Sequence, residues 1–237
     1  MNKKIKNKNI ILGLIVVLGV LIIGKIYMKP KEIQVEKIVI KKEHVKTADE
    51  TSKNENIVFL GDSITDFYPF DEIYEDLPII NSGISGYRTD EILPRMEELV
   101  YRYNPNSVYI LIGTNDFRED SDEDLVKTVE ENIKKIVDNI KQNRKKTKIY
   151  IQSIYPVNKK MPNNATEDRD NEEIKEVNKY LKSFCKENDV KYIDLYNSLT
   201  DTDGNFAEIY TKDGLHPNSL GYAKITRVLL PYIYGVE

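Results

Sequence analysis

The sequence predicts an α/β fold in which helices cover both faces of a parallel β-sheet. From Asn56 onward, short apolar runs rich in β-branched residues alternate with longer segments of helical periodicity. Strands that alternate with helices pair in parallel, because each helix carries the chain back across one face of the sheet. This part of the chain has about 180 residues, which is the size of one domain with a substantial core.

Five strands and four helices are predicted in this part of the chain. The strands are short apolar runs at 57–60, 79–81, 108–112, 149–153 and 192–195. The helices are expected at 89–103, 122–142, 172–188 and 217–232. An apolar stripe at helical spacing marks the second helix and consists of Leu125, Val129, Ile133, Ile136, Val137 and Ile140. Because proline suits the first turn of a helix, Pro217 is expected to begin the last one.

The first 28 residues differ in composition from the rest of the chain. Four lysines precede an apolar run at 10–24, and Lys25 separates this run from three further apolar residues. No A-x-A-like pattern follows, which favours an uncleaved signal anchor over a cleaved secretory signal. The absence of a polar face disfavours a buried core helix. The run is shorter than the roughly 20 residues of a spanning helix, but a snorkelling Lys25 extends it to residue 28.

These features predict four regions along the chain. Residues 1–8 form a short basic tail, 9–28 a transmembrane signal anchor, 29–55 a charged tether and 56–237 the globular domain. Lysines lie on both sides of the apolar run, so the distribution of positive charge does not decide the orientation. The short N-terminal tail favours a single-pass protein of the cell membrane whose domain lies outside the cytoplasm.

The composition excludes several functional classes. The net charge is −4, and acidic and basic residues are interspersed without the basic stripe typical of nucleic-acid binding. Cys185 is the only cysteine, so the chain forms no intramolecular disulfide. The predicted domain contains one histidine and no cluster of histidine and cysteine, which is too few ligands for a zinc site. We expect neither a metal ion nor a cofactor.

Four short polar clusters lie next to the predicted strands and the last helix. They are Gly61-Asp62-Ser63-Ile64-Thr65, Asn81-Ser82-Gly83-Ile84-Ser85-Gly86, Gly113-Thr114-Asn115-Asp116 and Asp213-Gly214-Leu215-His216-Pro217. In open parallel sheets, active residues gather where the strands end and the helices begin. The four clusters are therefore expected to meet at one edge of the sheet.

Histidine is scarce, which makes His216 the strongest candidate for a general base. The only other histidine, His44, lies in the predicted tether. A serine nucleophile needs a base that titrates near neutrality, and His216 is the sole imidazole that the domain offers. Asp213 precedes it by three residues, so its carboxylate can accept from Nδ1–H and leave Nε2 facing the nucleophile. The alternative is that Asp213 caps the last helix and His216 is a packed surface residue.

Ser63 is the candidate nucleophile because it follows a strand through Gly61, which exposes a hydroxyl at the sheet edge. Its alternative role is that of a helix N-cap, for which Asp62 is equally suited. Ser85 is a second serine in a glycine-rich cluster, but Tyr87 breaks the G-x-S-x-G pattern of a nucleophile elbow. The backbone N–H groups of Ser63 and Gly86 and the side-chain amide of Asn115 are the candidate oxyanion donors.

Taken together, the four clusters resemble the sequence blocks of the SGNH hydrolases, also called GDSL lipases or esterases. The matching segments are GDSI, NSGISG, GTND and DGLHP, and the similarity spans 56–234. The resemblance implies a flavodoxin-like three-layer α/β/α sandwich with a five-stranded parallel sheet. It also implies that Ser63, Gly86, Asn115 and His216 have the four defining roles, with Asp213 orienting His216. Ile64 replaces the leucine of the GDSL name, which is a minor apolar exchange.

The expected function is hydrolysis of a small acyl ester, most simply an acetyl group on a polar carrier such as a surface glycan. Lysophospholipase, thioesterase or acyltransferase activity at the same site remains open, because a fold does not determine the substrate. A tethered glycan-binding module without activity is disfavoured, since none of the site residues is missing. Tyr155, Pro156 and the polar loop at 158–170 are expected to line the pocket rim. The oligomeric state is left open.

Overall fold

The computed structural model describes residues 56–118, 124–161, 166 and 168–236. The basic tail, the signal anchor and the tether lie outside the described residues. These regions and the domain boundaries drawn from them therefore stay predictions. Within the described residues, no helix combines the length and the apolar character that crossing a membrane requires.

Five parallel strands form the sheet in the described part of the chain, which confirms the predicted parallel sheet. They are β1 (Ile57–Gly61), β2 (Ile79–Gly83), β3 (Ser107–Leu111), β4 (Lys148–Gln152) and β5 (Lys191–Ile193). Their spatial order is β2-β1-β3-β4-β5, and all neighbouring strands run parallel. This order reverses direction between β1 and β3, which creates the crevice where open α/β sheets bind ligands.

Eight α-helices connect and cover the strands in the described residues. They are α1 (Ser63–Asp66), α2 (Phe70–Ile73), α3 (Thr89–Ile92), α4 (Met96–Leu99), α5 (Leu125–Asn143), α6 (Asn171–Glu187), α7 (Tyr196–Leu199) and α8 (Ser219–Ile233). Short 3-10 turns lie at Leu93–Arg95, Tyr101–Tyr103, Asp116–Arg118 and Glu208–Tyr210.

The strand residues alternate between two apolar cores, one on each face of the sheet. Val58 and Leu60 pack with the buried sides of α3 to α6, whereas Phe59 packs with those of α1, α2, α7 and α8. On the second face, Phe59, Tyr109 and Tyr150 stand in register on β1, β3 and β4. Their rings stack at centroid distances of 4.7 and 4.4 Å, which couples three strands through offset aromatic contacts. The fold is thus an α/β sandwich with helices on both faces.

The predicted helix at 89–103 is wrong as a single element. The chain forms α3, then a 3-10 turn at Leu93–Arg95, then α4 and a second 3-10 turn. Pro94 lies inside the first turn, and proline lacks an N–H and clashes with the preceding turn of an α-helix. The segment therefore follows the sheet as short pieces.

Pro217 does not begin the last helix, contrary to the prediction. Asn218 is the N-cap of α8, and its side chain accepts a hydrogen bond from the backbone N–H of Gly221 at 3.0 Å. Asparagine satisfies one of the free amides at the helix start, which a proline side chain cannot do. Pro217 instead forms an isolated antiparallel bridge with Thr211. This bridge closes the loop that carries Asp213 and His216.

Candidate active site

Ser63 and Asn115 follow β1 and β3, the two strands on either side of the crevice. Ser63 is the first residue of α1, two positions after the end of β1. Asp62 is the N-cap and accepts a hydrogen bond from the backbone N–H of Ile64 at 2.9 Å, so the alternative that Ser63 caps the helix is wrong. Because Asp62 takes this role, the hydroxyl of Ser63 is free for another partner.

The hydroxyl of Ser63 meets the imidazole of His216. The distance from Ser63 Oγ to His216 Nε2 is 3.0 Å, and that from His216 Nδ1 to Asp213 Oδ2 is 2.7 Å. Ser63 is 7% exposed, and the side chains of His216 and Asp213 are 18% and 19% exposed. The two bonds form an unbroken path along which the imidazole can accept the serine proton while the carboxylate stabilises the resulting imidazolium.

Asp213 is held as a carboxylate by its own loop. Its Oδ1 accepts hydrogen bonds from the backbone N–H groups of Leu215 at 3.0 Å and His216 at 2.7 Å. Burial by itself would raise the pKa of Asp213, but the hydrogen bonds from His216 and Leu215 outweigh it and lower the pKa. Asp213 is therefore charged at neutral pH and can orient the imidazole.

The loop that presents His216 is fixed by main-chain contacts. The carbonyl oxygen of His216 accepts from the hydroxyl of Thr211 at 2.8 Å and from the backbone N–H of Lys212 at 3.1 Å. Gly214 has a φ of +84°, and a Cβ at this position would lie 2.4 Å from the carbonyl oxygen of Asn158. Only glycine fits both the conformation and the space, so the DGLHP segment forms one tight loop.

Asn115 is placed to present its amide N–H₂ group. The side chain is 4% exposed, and its Nδ2 donates to the carbonyl oxygen of Tyr87 at 3.0 Å. Its Oδ1 accepts from Arg169 Nη2 at 3.0 Å. Since an amide nitrogen carries two hydrogens, one remains for an oxyanion.

Gly86 lies in the exposed loop after β2, with a φ of +85°. A Cβ built there would meet nothing within 4 Å, so the requirement for glycine is conformational and does not arise from close packing. Ser85, the competing serine, is exposed and donates to Asp66 Oδ2 at 2.5 Å. Its hydroxyl is therefore bonded to a carboxylate, whereas Ser63 is bonded to the imidazole.

Residues 59–224 match the GDSL-like lipase/acylhydrolase family. The chain belongs to this family of SGNH hydrolases. Membership of the family makes it a carboxylic ester hydrolase with acylhydrolase activity.

Relatives of this SGNH hydrolase occur among characterised proteins. The alpha1 subunit of platelet-activating factor acetylhydrolase IB from Homo sapiens is 25% identical over 192 residues, covering 78% of either chain. The N-acylneuraminate cytidylyltransferase of Escherichia coli is 33% identical over 171 residues. That alignment covers 70% of the hydrolase but only 38% of the cytidylyltransferase.

Solved structures share the fold of the hydrolase. One of them is a Streptococcus pneumoniae protein described as a platelet-activating factor. It is 31% identical with a TM-score of 0.71, and the alignment covers 84% of the hydrolase and 92% of that chain. A GDSL-like lipase from Bacteroides thetaiotaomicron is 25% identical with a TM-score of 0.70. That alignment covers 83% of the hydrolase and 96% of the lipase.

Two of the residues expected at the pocket rim are buried in the hydrolase. Tyr155 is buried and its hydroxyl donates to Gln152 Oε1 at 2.9 Å, and Pro156 is buried as well. The expectation was wrong because neither residue is exposed, and Tyr155 packs into the apolar core on the face of the sheet that carries α1 and α8. Of the polar loop at 158–170, the described residues include Arg169, which contacts Asn115. A lone arginine in a polar loop carries no sequence signal that could have indicated this contact.

Asp116 joins the two segments that carry the candidate oxyanion donors. Its carboxylate accepts from both the backbone N–H and the hydroxyl of Thr89, the first residue of α3. Asn132 donates in turn to the hydroxyl of Thr89 at 3.1 Å. Burial raises the pKa of Asp116 to about 6, although the hydrogen bonds from Thr89 act in the opposite direction. The sequence contained Asp116 in the GTND segment but did not indicate this role.

Asp62 is the most strongly perturbed carboxyl beside the site. It is almost fully buried, and among the described residues its Oδ2 has no hydrogen-bond partner. Burial raises the pKa of Asp62 to about 7, against the lowering effects of the Ile64 N–H and the charge of Arg169. A protonated Asp62 stabilises the fold fully at a pH below the pKa that this carboxyl has in the unfolded chain. This stabilisation is lost as the pH rises through about 7, the pKa of Asp62 in the folded protein.

Asp62→Asn is therefore expected to change how the stability of the hydrolase depends on pH. Asparagine still accepts from Ile64 but does not titrate, so the variant avoids the cost of ionising a buried carboxyl. The free energy of unfolding of the variant minus that of wild type should therefore be roughly 2–3 kcal/mol larger at pH 8 than at pH 5. Urea unfolding at both pH values measures this. The exposed Asp71→Asn is the control, and a gap between Asp62→Asn and wild type that does not vary with pH would contradict the prediction.

Proposed function

We propose that the protein hydrolyses esters through an acyl-enzyme on Ser63. His216 takes the proton of the Ser63 hydroxyl as the oxygen attacks the ester carbonyl, and Asp213 stabilises the imidazolium. The imidazolium then protonates the leaving alcohol, and a water molecule activated by the same imidazole releases the acid. The observation that carries the proposal is the continuous path of 3.0 and 2.7 Å from Ser63 to Asp213.

Charge on the carbonyl oxygen develops beside three donors in this proposal. They are the backbone N–H groups of Ser63 and Gly86 and the second hydrogen of Asn115 Nδ2. Preorganised donors of this kind lower the barrier because they need no rearrangement as the charge forms. Neither a metal ion nor a cofactor has a step in this mechanism.

We further propose that the substrate is a small acyl ester, namely an acetyl group on a polar carrier such as a glycan. The human relative that aligns with 78% of the chain is named an acetylhydrolase, which supports a short acyl group. Phe67 supports a ring-shaped carrier. Phe67 is 49% exposed, and the centroid of its ring lies 5.5 Å from that of His216, so a sugar ring could stack on it beside the base. Lys212 Nζ lies 5.3 Å from the centroid of the same ring.

A panel of p-nitrophenyl esters tests the length of the acyl group. The full-length protein is expected to hydrolyse the acetate with a kcat/KM at least about tenfold above that for the octanoate, with the butyrate between them. A tenfold ratio corresponds to about 1.4 kcal/mol of differential transition-state binding. A preference for octanoate would replace the acetyl proposal by that of a lysophospholipase or a long-chain thioesterase.

Phe67→Ala tests the carrier in an assay that measures the release of acetate. The loss of one aromatic contact, worth about 0.5–1.5 kcal/mol, should raise the KM for an acetylated sugar by roughly 2–10-fold. Hydrolysis of ethyl acetate, which has no ring to stack, should change little. Tyr234→Ala is the matched control, because this aromatic is similarly exposed but caps the far end of α8. Equal effects of Phe67→Ala on both substrates would argue against a carrier surface.

We propose that the predicted anchor at 9–28 holds the enzyme in the cell membrane with its domain outside, where surface glycans occur. Full-length protein should then sediment with membranes, and protease added to intact cells should degrade the domain. Degradation only after lysis would reverse the orientation, and recovery in the soluble fraction would remove the anchor.

A further inference from the structure

Arg169 is a buried cation placed directly behind the oxyanion loop. Its side chain is 3% exposed, although it comes from the polar loop just before α6. Its Nε donates to the carbonyl oxygen of Thr114 at 2.8 Å, and its Nη2 donates to Asn115 Oδ1 at 3.0 Å. Burying a guanidinium costs free energy, and hydrogen bonds offset that cost only in part. An apolar side chain would fill the same space at less cost, which indicates a role for the charge of Arg169 at the 114–115 segment.

We propose that Arg169 is a positioning residue that fixes the orientation of the Asn115 amide and strengthens it as an oxyanion donor. The proposal rests on the function proposed above for Asn115. It adds a residue that lies outside the four sequence blocks and contacts the oxyanion donor instead of the substrate.

The orientation follows from the two ends of the amide. The guanidinium of Arg169 can only donate hydrogen bonds. The amide oxygen of Asn115 is therefore favoured on the side that faces Arg169, and the N–H₂ group is disfavoured there. The carbonyl oxygen of Tyr87 can only accept, so it selects the N–H₂ group on the other side at 3.0 Å. Flipping the amide would lose both bonds and turn Asn115 Oδ1 towards the developing negative charge. The two contacts together thus hold the donor in its productive orientation before substrate binds.

The charge of Arg169 also polarises the amide. Burial lowers the pKa of Arg169 to about 10, and the charge of Arg118 acts in the same direction while Asp62 opposes it. The guanidinium therefore stays protonated at neutral pH. A charged donor on the oxygen of an amide draws electron density from its nitrogen, which makes the remaining N–H a stronger donor. This contribution grows with the negative charge on the substrate, so it is larger in the transition state than in the ground state.

A double-mutant cycle between Arg169 and Asn115 tests the proposal on p-nitrophenyl acetate with the full-length protein. Asn115→Ala is expected to lower kcat by roughly 10²–10³. Arg169→Met should lower kcat by roughly 10–10² with less than about a threefold change in KM, because the lost interaction acts on developing charge. In the Asn115→Ala background, Arg169→Met should cost less than about threefold, since its route to the substrate is already gone.

A purely structural role for Arg169 predicts a different pattern. In that case Arg169→Met would lower kcat by the same factor in wild type and in Asn115→Ala. An effect transmitted through Asp62 would give the same result. Arg144→Met is the matched control, because Arg144 also donates to a main-chain carbonyl, that of Tyr101, but lies before β4 at the opposite edge of the sheet. It should leave kcat unchanged.

Arg169→Lys decides the question if the methionine variant does not fold. Lysine keeps the charge but has no fork, so it cannot hold Thr114 and Asn115 together. Its kcat should fall less than that of Arg169→Met, and the fall should again disappear in the Asn115→Ala background. Equal losses in both backgrounds, or wild-type kcat in the Arg169 variants, would overturn the proposal while leaving the proposed function intact. A wild-type kcat in Asn115→Ala would overturn both the role of Asn115 and that of Arg169.

Discussion

Replacing Ser63 with alanine is expected to abolish ester hydrolysis and labelling by a fluorophosphonate probe. Both reactions need the Ser63 oxygen, which the structure places 3.0 Å from His216 Nε2. Removing a serine nucleophile leaves only the oxyanion donors and substrate binding, and kcat should fall by roughly 10⁵–10⁶. Labelling should disappear altogether, because the probe forms its covalent bond with that oxygen.

Ser85→Ala is the matched control for this experiment. Ser85 lies in the glycine-rich loop after β2, and its hydroxyl bonds to Asp66 instead of an imidazole. The variant should be labelled and should turn over at close to the wild-type rate. Labelling that persists in Ser63→Ala and is lost in Ser85→Ala would reverse the assignment of the nucleophile.

Replacing His216 with alanine is expected to have an effect of similar size on kcat. The hydroxyl of Ser63 is a weak nucleophile without a base, and His216 is the only ring nitrogen bonded to it in the described residues. The double variant Ser63→Ala/His216→Ala should be no slower than either single variant, because the two residues act as one unit. A further large loss in the double variant would show that they act independently.

Two other substitutions accompany the His216 experiment. Asp213→Asn should lower kcat by roughly 10³–10⁴, because an asparagine amide can impose the wrong tautomer on the imidazole. His44→Ala should have no effect, since the sequence places His44 in the tether. Equal losses from His44→Ala and His216→Ala, measured with p-nitrophenyl acetate, would remove His216 as the base.

The strand pattern and the position of the candidate site could both be predicted from the sequence. Each of the five predicted strands overlaps an observed one, because short apolar runs bounded by turn residues report local structure directly. Ser63, Asn115 and the Asp213–His216 pair were found for a related reason. Their residues lie within short contiguous segments, and the ends of parallel strands necessarily meet at one edge of the sheet.

Local patterns were less informative where neighbouring elements or single side chains decide the outcome. A helix was expected through Pro94, yet the segment breaks into short turns against the sheet. Asp62, and not Ser63, proved to be the cap of α1, since both residues have side chains suited to that position.

The contacts that residues distant in the chain make at the site became visible only in the folded protein. Arg169 is 54 positions from Asn115 in the chain, and Phe67 is still farther along the chain from His216, beside whose ring it lies. Contacts of this kind depend on how loops pack after the sheet has formed, and the periodicity of a single sequence reports only the few residues around each position. The candidate nucleophile and base could therefore be predicted from motifs, whereas the residue that orients the oxyanion donor required the folded chain.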